Sequence, residues 1–176
     1  MNIPIFPLQL IVFPGESLNL HIFEQKYRQL FADLKSGTIT FFGIPPVVDH
    51  QMHAFGTRLI LTDIVKNYPG GEMDVSTQGI DVFKLGGILA NSGQKLYAEA
   101  TVDLITHDSS YDFLKFEELR GLYLEFQDLM AAQKEIDVVD GDGYSFKIAH
   151  YIGLSEAQKL ALLEIVSEFD RQDYLI

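Results

Sequence analysis

The chain is 176 residues long, with 47% hydrophobic and 22% charged residues, globular values that argue against a disordered polypeptide. Thirteen Lys and Arg against 25 Asp and Glu leave a net charge of −12, a field that repels phosphate backbones and anionic lipid headgroups. Without Cys there is no disulfide, no thiol nucleophile and no Cys-based metal site, and no apolar run approaches the roughly 18 residues of a bilayer span.

The opening MNIPIFPLQL has neither a basic region nor a small-residue cleavage site, so no secretion signal is expected and the expected location is the cytoplasm. Asn2 to Phe13 reads as an edge or irregular strand, because Pro4 and Pro7 interrupt its ladder donors. Phe23, Tyr27, Leu30, Phe31 and Leu34 recur at helical spacing, which predicts one helix whose stripe joins Phe13 in the core; Gly37 is its expected stop. Glu24 and Arg28 sit four apart near its start.

Five strand-like segments follow. Thr38 to Ile44 is short and apolar, and Phe55 to Val65 runs into the turn Asn67-Tyr68-Pro69-Gly70-Gly71. Glu72 to Thr77 and Ile80 to Leu85 flank Gly79, an expected bulge. Asn91-Ser92-Gly93 reads as a hairpin turn, and Lys95 to Ile105 alternates at Leu96, Ala98, Ala100 and Val102. Five or six short antiparallel strands with tight turns indicate a barrel or a sandwich.

The texture changes near residue 107. All six prolines and most glycines lie before it, and longer helical patterns lie after it. Tyr111 to Gln133 carries Phe113, Phe116, Leu119, Tyr123, Phe126 and Met130 along one face. Asp140 to Gly143 reads as a turn and Tyr144 to Ile152 as a short helix. Ser155-Glu156-Ala157-Gln158 is a capping box opening a third helix lined by Leu162, Leu163, Val166 and Phe169. The expected division is a β-rich part, 1–106, and a helical part, 107–176. Residues 103–142 hold eight of the twelve excess negative charges, read as a solvated face.

Three stretches carry a family likeness: Ile5-Phe6-Pro7-Leu8, Val12-Phe13-Pro14-Gly15-Glu16, and Leu18-Asn19-Leu20-His21-Ile22-Phe23-Glu24-Gln25-Lys26-Tyr27-Arg28. In order and spacing they resemble the opening of the Lon protease N-terminal, substrate-binding domain. Phe42-Gly43-Ile44, Gly56-Thr57, Gln78-Gly79, Phe83-Lys84-Leu85 and Tyr97-Ala98-Glu99-Ala100 extend the likeness. Leu162-Leu163-Glu164 with Ser167, Glu168 and Arg171 is similar to the family's closing helix. Gln25 stands where the family usually has Pro at the first turn of its helix. The resemblance implies an α+β fold: a PUA-like closed antiparallel β-barrel with one inserted helix, followed by a C-terminal helical subdomain. It also implies the handling of polypeptides. The ATPase and peptidase parts of Lon have no counterpart here, and no G-x-x-x-x-G-K-[ST] phosphate loop occurs.

Candidate chemistry is sparse. His50 and His53 are the only close His pair, and they follow Pro45-Pro46 in a loop, where solvated side chains are expected rather than a metal site. His21 is expected to make a structural hydrogen bond, since no nucleophile stands beside it. Asp140-Gly141-Asp142-Gly143 lacks two carboxylates of a calcium loop. No catalytic residue, cofactor or metal is expected.

Leu8 to Pro14 is apolar on both strand parities, whereas one barrel interior absorbs one face. Either the helical part covers the other face or it is exposed as a sticky patch; exposed, Leu8, Leu10, Ile11 and Pro14 are the candidate polypeptide-binding residues. The expected function is a non-enzymatic, ATP-independent polypeptide-binding module, extending to an adaptor or chaperone-like factor in protein quality control. Its expected partners are unfolded or misfolded polypeptide and a separate protease or chaperone, with neither nucleic acid nor membrane. An RNA-binding PUA-like module is the alternative, requiring a basic groove with exposed aromatics. A small hydrolase is the second, requiring a pocket of convergent polar groups.

Overall fold

The computed structural model describes residues 1–89, 93–130 and 143–176. Its main sheet grows from one long hairpin. β1 (Asn2–Pro4) and β2 (Ser17–Ile22) precede α1 (Gln25–Ser36), β3 (Phe42–Ile44) and the two-residue strands β4 (Val47–Val48) and β5 (Gln51–Met52). β6 (Phe55–Asn67) and β7 (Met73–Ile88) then turn about Tyr68–Gly71, and β8 (Glu99–Leu104) ends the sheet. The antiparallel order is β1-β8-β7-β6-β3, with β2 also paired to β7. β4 and β5 form a separate small hairpin.

The expected closed barrel is corrected to an open six-stranded sheet. Its ends, β1 and β3, meet only through an isolated bridge at Ile5 and Gly43, where the Phe6 N–H donates to the Gly43 carbonyl at 2.8 Å. A continuous ladder cannot form there because Pro4 and Pro7 supply no N–H. β2 was not among the expected strands. Its alternation of Leu18, Leu20 and Ile22 runs in unbroken register along β7, from Ser17 opposite Gln78 to Ile22 opposite Met73. The bulge expected at Gly79 falls one residue on: Leu59 faces Gly79 and Arg58 faces Asp81, so Ile80 is the extra residue.

α1 buries Tyr27, Leu30, Phe31 and Leu34, the expected stripe, and Gly37 ends it at φ 76°, a left-handed conformation that favours glycine. Phe23 departs from expectation: it is 63% exposed. Glu24 caps the helix with extended backbone, so the helical period begins after Phe23 and does not carry it to the core. The aromatic heart of the core is Phe6 stacked on Tyr27, ring centroids 3.8 Å apart, with Phe31 edge-on to Phe42 at 5.3 Å. Phe13 is 1% exposed. Gly43 and Gly56 exist for space: a Cβ at either would lie 2.6–2.7 Å from the Phe83 ring.

The chain divides into two compact units, Met1–Ile105 and Thr106–Ile176. The second holds α2 (Phe113–Met130), α3 (Tyr144–Ala149), α4 (Glu156–Glu164) and α5 (Glu168–Leu175). Asp112 Oδ1 accepts from the Leu114 and Lys115 amides at 2.8 and 3.1 Å and so caps α2. Phe116, Leu119 and Tyr123 are buried with Tyr144 and Ile148, whereas Phe113 and Met130, expected on the same face, are exposed. The capping box of Ser155 and Gln158 forms as expected. The single helix expected after it is two, because Ile165 turns extended at ψ 120° and Ser167 caps a new one. That break leaves Val166 and Phe169 exposed rather than lining a buried face. The expected turns at Asn91-Ser92 and Asp140-Gly141-Asp142, and residues 131–133 of the expected long helix, lie outside the described residues.

Candidate functional site

After β1 the chain runs irregularly to Pro14, its course fixed by side chains that dip into the core. Val12 and Phe13 are buried, and the Val12 carbonyl accepts a hydrogen bond from the buried Thr57 hydroxyl. The Val47 N–H donates to the Leu8 carbonyl at 2.8 Å, tying the segment to the β4–β5 hairpin. Leu8 and Leu10 pack on the rim of the main core and are partly buried; Ile11 and Pro14 are partly buried too, and Gln9 is exposed. The two-faced apolar pattern is thus split, with part of each of the four predicted binding residues left open to solvent.

Beside this segment lies a groove of ≈ 330 Å³, which sequence reasoning missed. Pro7, Tyr27, Met52, Ile88 and Leu96 line it with Lys26 at its rim. Met52, Ile88 and Leu96 are 40%, 49% and 51% exposed, so its wall is apolar surface in contact with water. Met52 is distant in sequence from Ile88 and Leu96, and the three share no local pattern. Ile88 ends β7, Met52 sits in the two-residue β5 and Leu96 lies before β8, so no strand or helix period marks them together. Such a groove offers dispersion and burial to apolar side chains without demanding a particular hydrogen-bonding partner.

The polar clusters have structural geometry. His21 Nδ1 donates to Asp74 Oδ1 at 2.6 Å and the Tyr68 hydroxyl to Asp74 Oδ2 at 2.8 Å, the expected structural role for His21. Those bonds, the His21 bond foremost, hold the Asp74 carboxyl below the usual range. His50 is exposed in the β4–β5 turn at φ 64°, and the Phe55 amide donates to His53 Nδ1 at 3.2 Å. Among the described residues no group of three or more His, Asp or Glu could hold a metal ion. No described helix is long and apolar enough to cross a membrane.

In the helical unit, Glu168 and Arg171 are 0% and 2% exposed and pair at 2.8 Å. Glu168 Oε2 also accepts from the Ser145 hydroxyl at 2.7 Å, and Oε1 from the Ser145 amide and Gln172 Nε2, each at 3.0 Å. Arg171 Nη1 donates to the Ile165 and Val166 carbonyls at 2.8 and 2.9 Å. These carbonyls lie where α4 ends, so the guanidinium satisfies backbone groups that the helix break leaves open. The pair, sealed from solvent, fastens α3 to α5 and presents no reactive atom.

A family model described as the ATP-dependent protease La (LON) substrate-binding domain matches residues 2–176. The fold is similar to a Lon N-terminal domain protein from Xanthomonas campestris, with TM-score 0.75 and 20% identity over 99% of this chain and 96% of that one. It is also similar to the N-terminal domain of Mycobacterium avium complex Lon protease, with TM-score 0.77 and 20% identity over 100% and 96% of the two chains. No curated protein sequence matches. The match fills this sequence with a non-catalytic domain and leaves no ATPase or peptidase domain within it. The chain belongs to the Lon substrate-binding domain family.

Proposed function

We propose that the protein binds unfolded or misfolded polypeptide as an adaptor or chaperone-like factor in protein quality control. In this reading it works in the cytoplasm and hands clients to a separate protease or chaperone. The observation that carries it is the apolar groove at Met52, Ile88 and Leu96; Pro7, which also lines it, leads in sequence to the partly exposed Leu8, Leu10, Ile11 and Pro14, which this reading adds to the site. Solvent-facing apolar surface of this kind gains from any chain that covers it, which suits clients defined by exposed hydrophobic groups. The net charge of −12 speaks against the RNA alternative.

The test is binding of a permanently unfolded protein, reduced and alkylated lactalbumin, at low and high salt. Binding changes little with salt and falls strongly in Leu96→Asp and Ile11→Asp, which place charge in the groove and on the adjoining segment without entering the buried core. Binding abolished by salt and indifferent to both substitutions would refute the apolar site.

A further inference from the structure

β2 is an edge strand, paired with β7 on one side and with no other strand among the described residues. The ladder fixes where its backbone groups point. The Gly79 N–H donates to the Glu16 carbonyl at 2.9 Å, and the Thr77 hydroxyl to the Leu18 carbonyl at 2.9 Å. The Glu16 carbonyl, and the N–H and C=O groups of residues 18, 20 and 22, therefore face β7. Their odd-numbered neighbours turn the other way. Ser17, Asn19 and His21 thus present amides and carbonyls along the free edge, and all three are exposed.

Edges of this kind are usually blunted by Lys, Pro or a bulge. β2 has none of these: it reads Ser-Leu-Asn-Leu-His-Ile in unbroken register. On its core face Leu18 and Leu20 are only partly buried against the main cluster. Just past its end Phe23 is 63% exposed, its ring 6.1 Å from that of His21. An added strand with apolar side chains at alternate positions would finish covering Leu18 and Leu20 while its backbone bonds to residues 17, 19 and 21.

We infer that the free edge of β2 docks an extended, non-acidic polypeptide segment with alternating apolar side chains, by addition of a strand to the sheet. The inference rests on the polypeptide-binding reading and gives it a backbone-directed subsite. Charge decides the occupant. A second copy brings its own −12, and self-pairing centred on Leu20 would set Glu16 of one copy against Glu24 of the other. A segment flanked by Lys or Arg meets those carboxylates favourably. Because main-chain hydrogen bonds are common to all sequences, this edge selects for extended conformation more than for identity.

The test uses the full chain and a short peptide alternating Val and Thr between terminal Lys residues, with its counterpart N-methylated at alternate amides. Residue-resolved amide exchange should slow at Asn19 and His21 on adding the peptide and stay unchanged at Leu18 and Leu20, which already bond to β7. N-methylation should cut affinity by about tenfold or more, since it removes several backbone bonds. Asn19→Pro, which deletes an outward N–H, should do the same, whereas Asn19→Ala, which removes only the side-chain bond from the Ser76 hydroxyl, should not. Equal binding of the two peptides, or binding without protection of the odd-numbered amides, would overturn edge docking. Lactalbumin binding that persists in that case leaves the apolar-site reading standing, whereas loss of lactalbumin and peptide binding together overturns both. Protection of the odd-numbered amides that rises with protein concentration alone would overturn the assigned occupant in favour of a second copy.

Discussion

Arg171→Leu is the sharpest probe of how the helical unit is held. The substitution keeps only the near part of the apolar stem and removes the guanidinium of a residue that is 2% exposed. Glu168 would keep three neutral donors, the Ser145 hydroxyl and amide and Gln172 Nε2, and lose its cationic partner. The Ile165 and Val166 carbonyls would lose a shared donor. Breaking a buried ion pair from one side costs about 3–5 kcal/mol, because the remaining charge stays desolvated. That is a large part of the roughly 5–15 kcal/mol that holds a domain together, so the unit should open well before the sheet unit does. Urea unfolding followed by circular dichroism gives the total loss, and hydrogen exchange by mass spectrometry assigns it to residues 106–176. Glu168→Gln in the Arg171→Leu background should recover part of the loss, because it removes the stranded charge. A loss below about 1 kcal/mol, or one spread equally over residues 1–105, would refute the reasoning.

Two further outcomes follow from burial. Phe31→Ala, at 0% exposure, should cost about 3–5 kcal/mol, while Phe23→Ala, at 63%, should stay within about 0.5 kcal/mol; chemical denaturation of the two variants checks the contrast, and equal losses would place Phe23 in the core after all. Tyr97 is 1% exposed and its hydroxyl donates to Asp33 Oδ2 at 2.7 Å; burial first, then this bond and the Asp33 charge, push its pKa well above the ordinary tyrosine value. Its neutral form is favoured in the fold, so the stabilisation is fully present below about pH 10 and is lost as the pH rises beyond that toward the folded value. Alkaline titration of phenolate absorbance should show this group ionising only as the sheet unit unfolds, a late step that is missing in Tyr97→Phe.

Much of the fold was legible because it is written in local chemistry. Ser155 and Gln158 cap a helix wherever it lies, and Gly37 ends one because its left-handed backbone is open to glycine. Tyr27, Leu30, Phe31 and Leu34 share a face through helical geometry alone. The alternation in β2 was equally local, but it is embedded between two prolines and a helix start, so the strand was hidden by its neighbours.

Tertiary structure decided the rest. Phe23 fits the helical period by number and misses the core because the chain leaves β2 only one residue before it. The helix break at Ile165 is stabilised by Arg171, six residues away in sequence, so no local window reveals it. The groove depends on Pro7, Met52, Ile88 and Leu96 arriving together, and the free edge of β2 on no described strand other than β7 being placed beside it. Sequence patterns set which face of an element is apolar, because that depends on neighbours three, four or two positions away. Which apolar groups remain in water depends on what the long-range pairings cover, and only the folded chain determines that.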